Sequence, residues 1–350
     1  MKMDLSRLPS RMAALGAIAA VAVAVAAPAH AAKHAPAKPA QIGAPLQIGV
    51  SDQSPQLFSD PRFSDLGIRY ARLMVPWNVA LTKGATLDQV RTWLNDASAA
   101  GVEPHIAFNT PAYTRANRLR LPSVAAYKRA ISAFRRDFPQ VRVYTPWNEA
   151  NHFFQPTARN PQRAAQFYKV LRSSCPKCKV LGADLLDSPN LRSWLRGYFK
   201  AIKIKPRLWG LHNYQDSNHR RPAAKSLTVQ LLSLVPGQIW ATETGGVVRF
   251  QTDKGRVAYK YSPSRAGKSM QYMFSLLHNP LTKRRYTRVY VYNWFGSTTA
   301  TRALNRWDSG LIGLDGRARP AFGVFSQEVL LSQLQAKRRA AAAAAAAKKH

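Results

Sequence analysis

Short apolar runs alternate with longer amphipathic segments along most of the chain. Eight runs, each bounded by polar residues, glycine or proline, have the pattern of buried parallel strands. They occupy residues 46–50, 68–75, 104–108, 141–147, 180–185, 207–212, 238–242 and 288–294. Helical spacing with start and stop signals marks 87–100, 123–138, 162–174, 190–202, 224–234, 264–277 and 321–335. The short stretch between the first two strands has the weakest helical pattern.

This alternation predicts a single α/β domain over residues 45–336 with the (β/α)8, or TIM, barrel fold. The competing architecture is an open doubly wound sheet, which places a glycine-rich phosphate turn after its first strand. The corresponding turn here, Gly49-Val-Ser-Asp52, contains one glycine. No internal repeat of fixed period is visible, so we favour the barrel.

The N-terminus has the pattern of a secretory signal peptide. Three basic residues precede an apolar, alanine-rich stretch at 12–27, and Ala29-His30-Ala31 fits the small-x-small cleavage pattern. We therefore expect residues 1–31 to be removed and the protein to be secreted, either extracellular or associated with the cell envelope. An uncleaved anchor is the alternative, but the stretch is short for a membrane span. We expect no stable span after cleavage.

Low-complexity segments flank the predicted domain. Residues 32–44 are rich in alanine, proline and lysine and predict a flexible leader. Residues 337–350 combine basic residues with a run of alanines. This end could extend the last helix, because alanine favours helix, or form a basic tail against an anionic surface. We expect a tail without catalytic role.

The charge is strongly positive. The chain has 52 Lys+Arg against 17 Asp+Glu, a formal net charge of +35. Removal of residues 1–31 would take away three basic residues and Asp4 and leave +33. Such a charge attracts polyanions, for example an acidic polysaccharide or an anionic cell-envelope polymer, or it serves only solubility. The aromatic-interleaved pattern of nucleic-acid modules is absent from the sequence, and we expect no nucleic-acid partner.

The two cysteines form the close pair Cys175-Pro-Lys-Cys178. In an exported protein such a pair predicts a local disulfide. Two thiols alone cannot complete a zinc site, and a redox CxxC needs a thioredoxin-like context.

Two glutamates lie at strand ends, where the active site of a barrel is found. Glu149 follows the fourth strand in Trp147-Asn148-Glu149, and Glu243 ends the seventh in Trp-Ala-Thr-Glu. A glycosidase needs such a pair, one to donate a proton and one to attack the sugar carbon or activate water. The other strand ends supply amides, a histidine and aromatic rings, a mixture that suits sugars. These candidates are Arg72, Trp77, Asn109, Asn148, His212, Tyr214 and Trp294.

The ordered pair resembles the active-site pattern of clan A, or the 4/7 superfamily, of retaining glycoside hydrolases. Members have a (β/α)8 barrel with Asn-Glu at the end of strand four and Glu at the end of strand seven. Asn148-Glu149 and Glu243 match these positions, 94 residues apart. The run Trp-Asn-Glu-Ala-Asn-His is most similar to xylosidase/iduronidase-like and cellulase-like members. The resemblance covers residues 46–335.

Three further positions share this resemblance. His212-Asn-Tyr214 is similar to the His-x-Tyr of strand six in the clan, Arg72 to its strand-two arginine and Trp294 to its strand-eight aromatic residue. The resemblance implies that Asn148 bonds the sugar 2-hydroxyl and that Trp294 forms the floor of the reactive subsite. It implies no metal or organic cofactor.

The resemblance also implies separate roles for the two carboxyls. Glu149 would be the general acid/base, with a pKa raised by burial or by the nearby carboxylate. Glu243 would be the nucleophile and stay ionised, favoured by Arg72 and the Tyr214 hydroxyl.

Structural interpretations of several candidates stay open. His212 could be a satisfied barrel histidine, and Trp77 and Trp147 could be packing residues. Three aspartates near strand ends, Asp52, Asp184 and Asp187, are interpreted as loop caps.

The sequence thus predicts a retaining O-glycosyl hydrolase that acts on a polysaccharide or glycoconjugate. A transglycosylase would share its covalent intermediate. The alternative is a non-catalytic glycan- or envelope-binding barrel held by its basic surface. The basic stretch 247–263 could meet an acidic sugar or be a solvated loop.

Overall fold

The strands lie close to the predicted runs. In chain order they are β1 (Gln47–Ser51), β2 (Tyr70–Pro76), β3 (Glu103–Asn109), β4 (Val143–Thr145), β5 (Lys179–Val180), β6 (Asp184–Leu186), β7 (Leu208–His212), β8 (Gln238–Thr244), β9 (Arg249–Gln251), β10 (Val257–Tyr259), β11 (Tyr286–Tyr292) and β12 (Trp307–Asp308). The computed structural model describes residues 44–111, 120–252, 255–297 and 307–347. The predicted signal peptide, and the predicted leader apart from Ala44, lie outside these residues.

A parallel sheet forms the barrel. Its strand order is β5-β4-β3-β2-β1-β11-β8-β7-β6. β5 and β6 are two segments of one barrel strand. The first segment pairs with β4 and the second pairs with β7. Between them, Leu181 N donates to Tyr144 O at 2.9 Å and Gly182 N donates to Leu208 O at 2.8 Å. These bonds join the two ends of the sheet, and the predicted (β/α)8 barrel is confirmed.

The helices cover the outside of the barrel. They are α1 (Pro61–Asp65), α2 (Ala85–Ala99), α3 (Val124–Asp137), α4 (Pro161–Ser174), α5 (Leu191–Lys200), α6 (Tyr214–His219), α7 (Leu227–Leu234), α8 (Pro263–His278) and α9 (Pro320–Ala347). Serine caps begin three of them, because the side chains of Ser123, Ser226 and Ser262 accept N–H bonds from the first turn. The weak pattern between the first two strands corresponds to the five-residue α1.

The longer helices bury an apolar face. In α3, Tyr127, Ile131 and Phe134 are buried at spacings of three and four residues. The Tyr127 ring stacks on Phe167 of α4, with centroids 4.2 Å apart. Burial of such a side chain contributes roughly 1.5–3 kcal/mol. The apolar core therefore lies mainly between the helices and the strands. The side chains at the carboxyl ends of the strands are largely polar.

A small antiparallel sheet lies in the stretch 247–263 and continues at Trp307. Its order is β10-β9-β12, and its strands have two or three residues each. Elements this short leave no periodic pattern, which is why the sequence predicted a loop there.

The last helix continues beyond the predicted boundary at residue 336. Its buried residues are Ala321, Phe325 and Val329, and from Leu334 to Ala347 its residues are exposed. The alanine run is therefore helical, consistent with the high helix propensity of alanine. The predicted Cys175–Cys178 disulfide is present. Within the described part of the chain, no helix is long and apolar enough to cross a membrane.

Candidate active site

An open cleft of about 1970 Å³ lies at the carboxyl ends of the barrel strands. Asn148, Glu149, Tyr214 and Glu243 line it. Their side chains meet there because parallel strands of a barrel end at one face.

The carboxyl groups of Glu149 and Glu243 face each other across this cleft. One oxygen of each lies within 4.8 Å of the other and of a ring nitrogen of His212. Glu243 is part of β8, whereas Glu149 follows β4 in a turn where its backbone is left-handed, with φ 45°. A residue other than glycine adopts this conformation at a cost of about 1–2 kcal/mol. Such strain is typical of functional positions.

Arg72 connects the polar groups beneath the pair. Its guanidinium donates to Glu243 Oε2 at 3.0 Å, to Asn148 Oδ1 at 2.6 Å and to Asp184 Oδ2 at 2.7 Å. It also donates to Ser51 Oγ at 3.0 Å. The Arg72 side chain is fully buried. Through these charge-assisted bonds, Arg72 of β2 fixes the positions of side chains from β1, β6 and β8 and from the turn after β4.

Asp184 belongs to this network, and its interpretation as a loop cap was wrong. It is fully buried and accepts hydroxyl bonds from Thr145 at 3.1 Å and from Thr242 at 2.8 Å, besides its bond from Arg72. Burial raises the pKa of the Asp184 carboxyl, but Arg72 and His212 outweigh burial and hold it below its ordinary value. The sequence signal was present, because Asp184 stands within a predicted strand, where an ionised residue needs a buried partner.

Asp52 and Asp187 do accept backbone N–H groups, as predicted for caps. Asp52 accepts from Ser54 and Trp294, each at 2.7 Å, and Asp187 accepts from Asp216 at 2.7 Å at the start of α6. Burial raises the pKa of Asp52 to about 6.

His212 lies between the carboxyl groups. Its Nδ1 is 3.2 Å from Glu149 Oε1 and 3.9 Å from Glu243 Oε2, and its Nε2 is 3.6 Å from Asp184 Oδ2. Burial lowers the pKa of His212, but the three carboxylates outweigh burial and raise it to about 9. At neutral pH the ring is therefore an imidazolium that donates to Glu149.

The pKa values of the two glutamates are shifted in opposite directions. The pKa of Glu243 is raised, because burial and the charges of Glu149 and Asp184 outweigh His212 and Arg72. Burial also acts on Glu149, but His152, His212 and Arg72 outweigh it and lower its pKa. The sequence implied the reverse.

Geometry alone would also permit a metal ion, since Glu149, His212 and Glu243 each offer a ligand atom within 4.8 Å of the others. The positive charge beside the pair disfavours a cation, because like charges repel. Arg72 already satisfies Glu243 with a positive charge.

Tyr214 and Asn148 complete the contacts of the pair. The Tyr214 hydroxyl donates to Glu243 Oε1 at 3.2 Å. Asn148 Oδ1 accepts from Arg72, and Asn148 N donates to Phe108 O at 2.7 Å, which continues the strand pairing past β4. The structure therefore brings together Arg72, Asn148, Glu149, His212, Tyr214 and Glu243.

Trp294 lies elsewhere, and its predicted place under the reactive sugar is wrong. It is fully buried among Phe63, Phe322 and Phe325, and its Nε1 donates to Asp60 Oδ2 at 3.0 Å. β11 ends at Tyr292, two residues before Trp294, so the chain has already left the barrel rim.

Trp77 and Asn109 also lie outside the cleft lining in the described part of the chain. Trp77 packs on the core with its ring stacked on Tyr127, and Asn109 is buried at the end of β3. Aromatic rings that do line the cleft include Tyr292 and Trp307. Trp307 contacts Tyr214 with ring centroids 4.8 Å apart. Neither residue was among the candidates predicted from the sequence.

The fold is similar to those of solved glycoside hydrolases. The GH53 catalytic domain of Ignisphaera aggregans has a TM-score of 0.59 at 15% sequence identity, covering 82% of this chain and 97% of that one. A thermostable mutant of a xylanase from Cellvibrio japonicus has a TM-score of 0.56 at 12% identity, covering 81% and 97%. The GH5_18 protein of Streptomyces cattleya, in complex with GlcNAc, has a TM-score of 0.56 at 15% identity, covering 83% and 81%.

At these identities the similarity shows the fold alone, which is the (β/α)8 barrel predicted from the sequence. No protein-family model matches the chain, and no curated protein matches it in sequence.

Proposed function

We propose that the protein is an exported retaining O-glycosyl hydrolase that cleaves a polysaccharide or glycoconjugate by double displacement. The observation that carries this proposal is the approach of Glu149 and Glu243 oxygens to within 4.8 Å at the mouth of the barrel. Retaining glycosidases hold their carboxyls about 5–5.5 Å apart, whereas inverting enzymes need roughly 6.5–9.5 Å to admit a water molecule.

The first step forms a covalent intermediate. A Glu243 oxygen attacks the anomeric carbon while the bond from that carbon to the glycosidic oxygen breaks. Glu149 gives its proton to this oxygen, and the leaving group departs as an alcohol. In the second step Glu149 takes a proton from water, the water oxygen attacks the anomeric carbon, and Glu243 leaves as a carboxylate. Two inversions give net retention.

The buried network prepares Glu243 for this role. Arg72 and the Tyr214 hydroxyl each hold one oxygen of its carboxylate, which orients it and stabilises its charge. The amide oxygen of Asn148 is bonded to Arg72. Its amide nitrogen is therefore the group that can donate to the sugar 2-hydroxyl.

The mechanism needs the proton on Glu149 rather than on Glu243. In the free protein the pKa of Glu149 is lowered and that of Glu243 is raised. The Glu149 side chain is 16% exposed, against 8% for Glu243. A bound sugar would exclude water from Glu149, and loss of solvation raises the pKa of a carboxyl group. Substrate binding thus favours the productive protonation state.

The open cleft supports a polymeric substrate. Its volume of about 1970 Å³ exceeds the ~300–1,000 Å³ of pockets that enclose one small molecule. Of the neighbours described above, one is a xylanase and one was solved in complex with GlcNAc. The net charge of +35 favours including acidic polysaccharides among the substrates to be tested.

Product analysis tests the proposal. Purified protein would be incubated with neutral and acidic polysaccharides and aryl glycosides, and the anomer first released would be followed by proton NMR. We expect release of the anomer with the configuration of the substrate bond. Release of the opposite anomer would exclude the covalent intermediate, and an absence of hydrolysis across the panel would reject the hydrolase. Transfer to an added sugar acceptor instead of water would identify a transglycosylase.

Export to the cell exterior or envelope is part of the proposal and rests on the pattern of residues 1–31. Fractionation of the producing cell with N-terminal sequencing checks it. We expect a mature chain that begins at Ala32 outside the cytoplasmic membrane.

A second candidate is a non-catalytic barrel that binds an anionic glycan or envelope polymer. The charge of +35 favours it, whereas a binder has no use for two adjacent carboxyls. Polymer retention measured against salt distinguishes the two, because electrostatic binding falls steeply as salt screens the charges. Retention that survives high salt would argue against this candidate.

A further inference from the structure

Phe153 is exposed although it lies on an ordered loop beside the acid/base. Phe153 is 74% exposed. Both Phe153 and Phe154 line the cleft. Large apolar side chains held in water at a cleft are typical of a binding surface. The catalytic steps proposed above do not use either ring.

The loop that carries these rings is firmly anchored. His152 N donates to Glu149 O at 2.7 Å, and Gln155 N donates to His152 O at 2.8 Å. Gln155 Oε1 accepts from Trp147 Nε1 at 3.0 Å, and Thr157 Oγ1 donates to Ala150 O at 2.8 Å. A ring held in place before binding loses little conformational freedom when a ligand arrives.

The two rings contact His152, and His152 contacts the acid/base. The centroids of Phe153 and Phe154 are 4.1 Å apart, and that of His152 is 4.6 Å from Phe153 and 5.2 Å from Phe154. His152 Nδ1 lies 3.4 Å from Glu149 Oε2. The aromatic surface therefore begins beside the acid/base, with His152 between the rings and Glu149.

A second group of aromatic rings lies beside the nucleophile. Tyr214 bonds Glu243, Trp307 contacts Tyr214, and Phe250 contacts Trp307 with centroids 5.1 Å apart. In the proposed mechanism the attacked sugar lies against Glu243 and the glycosidic oxygen lies against Glu149. The departing sugar would then lie on the Glu149 side, where Phe153 and Phe154 are found.

We propose that Phe153 and Phe154 form a binding platform for the leaving-group sugar of the substrate, by stacking of the rings on its C–H face. This rests on the hydrolase function proposed above and deepens it. The ligand class is a carbohydrate with at least one sugar unit on the reducing side of the cleaved bond.

The test compares two substrates that share the attacked sugar. One is an oligosaccharide, and the other is the glycosyl fluoride, which has no leaving-group sugar. The variants are F153A/F154A, Phe153→Trp, and the control Tyr261→Ala, which removes an aromatic residue that is 62% exposed outside the cleft lining.

In F153A/F154A we expect the ratio of kcat/KM, oligosaccharide over fluoride, to fall on the order of 10-fold, mainly through KM. Phe153→Trp, which keeps an aromatic face, and Tyr261→Ala should keep the wild-type ratio. An unchanged ratio in the double variant, with both substrates cleaved, would overturn the platform and leave the hydrolase intact.

If the wild type cleaves no substrate of the panel described above, the hydrolase proposal fails and a glycan array takes over as the readout. Glycan binding that F153A/F154A loses and Tyr261→Ala keeps would support the platform. Wild-type binding by the double variant, or no glycan binding by the wild type, would overturn it.

Discussion

Arg72 Nη1 lies 3.0 Å from Glu243 Oε2, at a depth where the arginine side chain has no solvent exposure. The same guanidinium holds Asp184 at 2.7 Å. One cation thus compensates two buried carboxylates from different strands, so the proposed active site is also a structural junction.

Replacement of Arg72 should therefore affect stability and activity together. Arg72→Met leaves Asp184 and Glu243 without their cation, and removal of one partner of a buried ion pair costs about 3–5 kcal/mol. Arg72→Lys keeps the charge but cannot reproduce the forked contacts. We expect the lysine variant to retain most of the stability and to lose activity. Urea unfolding and kcat/KM measure the two effects, and a fully active lysine variant would contradict the positioning role.

The two glutamates should respond differently to an external nucleophile. Glu149→Gln and Glu243→Gln should each lower kcat, with the loss of acid/base assistance costing on the order of 100- to 10,000-fold. In Glu149→Ala, azide can attack the covalent intermediate and give a product with the configuration of the substrate. In Glu243→Ala, azide replaces the missing carboxylate and gives the opposite configuration.

NMR of the glycosyl azides separates these outcomes. The same anomer from both variants would contradict the assignment of nucleophile and acid/base. Rates equal to the wild type in either glutamine variant would remove that residue from the mechanism.

His212 should make stability depend on pH in the alkaline range. Its pKa is about 9 in the fold, against an ordinary value of 6.5. A proton bound more tightly in the folded state stabilises fully below about pH 6.5, and this contribution is lost as pH rises through about 9. The loss should be about 3 kcal/mol. Free energies of unfolding in urea at several pH values check this, and His212→Gln should flatten the slope.

Asp184 depends on a glycine in the neighbouring strand. A Cβ at Gly210 would lie 1.9 Å from Asp184 Oδ1 and 2.6 Å from Thr242 Oγ1. Gly210→Ala should displace Asp184, disturb Arg72 and His212, and cost roughly 1–3 kcal/mol with a fall in kcat.

Gly323→Ala is the matched control, because a Cβ there meets nothing within 4 Å in the described part of the chain. It lies in helix α9, where alanine should stabilise by up to about 1 kcal/mol. Thermal unfolding and kcat of the two variants provide the comparison. Equal stability of both would show that the barrel accommodates a methyl group at Gly210 and would refute this account.

Elements with a long repeating hydrophobic pattern were predicted more accurately than short ones. Long amphipathic helices such as α3 and α8 were predicted within one residue at each end, because burial of one face repeats over several turns. The short strands β9, β10 and β12 have no repeat to detect. The fifth barrel strand was predicted as one run but is interrupted between Val180 and Asp184.

For the site residues, the sequence predicted the residue types and their order along the strands. It did not predict the direction in which each side chain points. Arg72, Asn148, His212 and Tyr214 do lie around the glutamate pair. Trp294 does not, because the strand ends two residues earlier than predicted. Beyond the end of β11 the chain no longer follows the strand direction, and Trp294 packs in the core against Phe63, Phe322 and Phe325.

The order of strands and helices could be predicted from hydrophobic spacing, because this spacing is a local property of the chain. The residue pattern also indicated which strand ends carry carboxyl groups. The approach of Glu149 and Glu243, 94 residues apart, to within 4.8 Å became visible only in the fold. The same is true of the bond between Asp184 and Arg72 and of the position of Phe153 in the cleft. Those relations depend on barrel closure and on the direction of each side chain, which arise when distant strands pair.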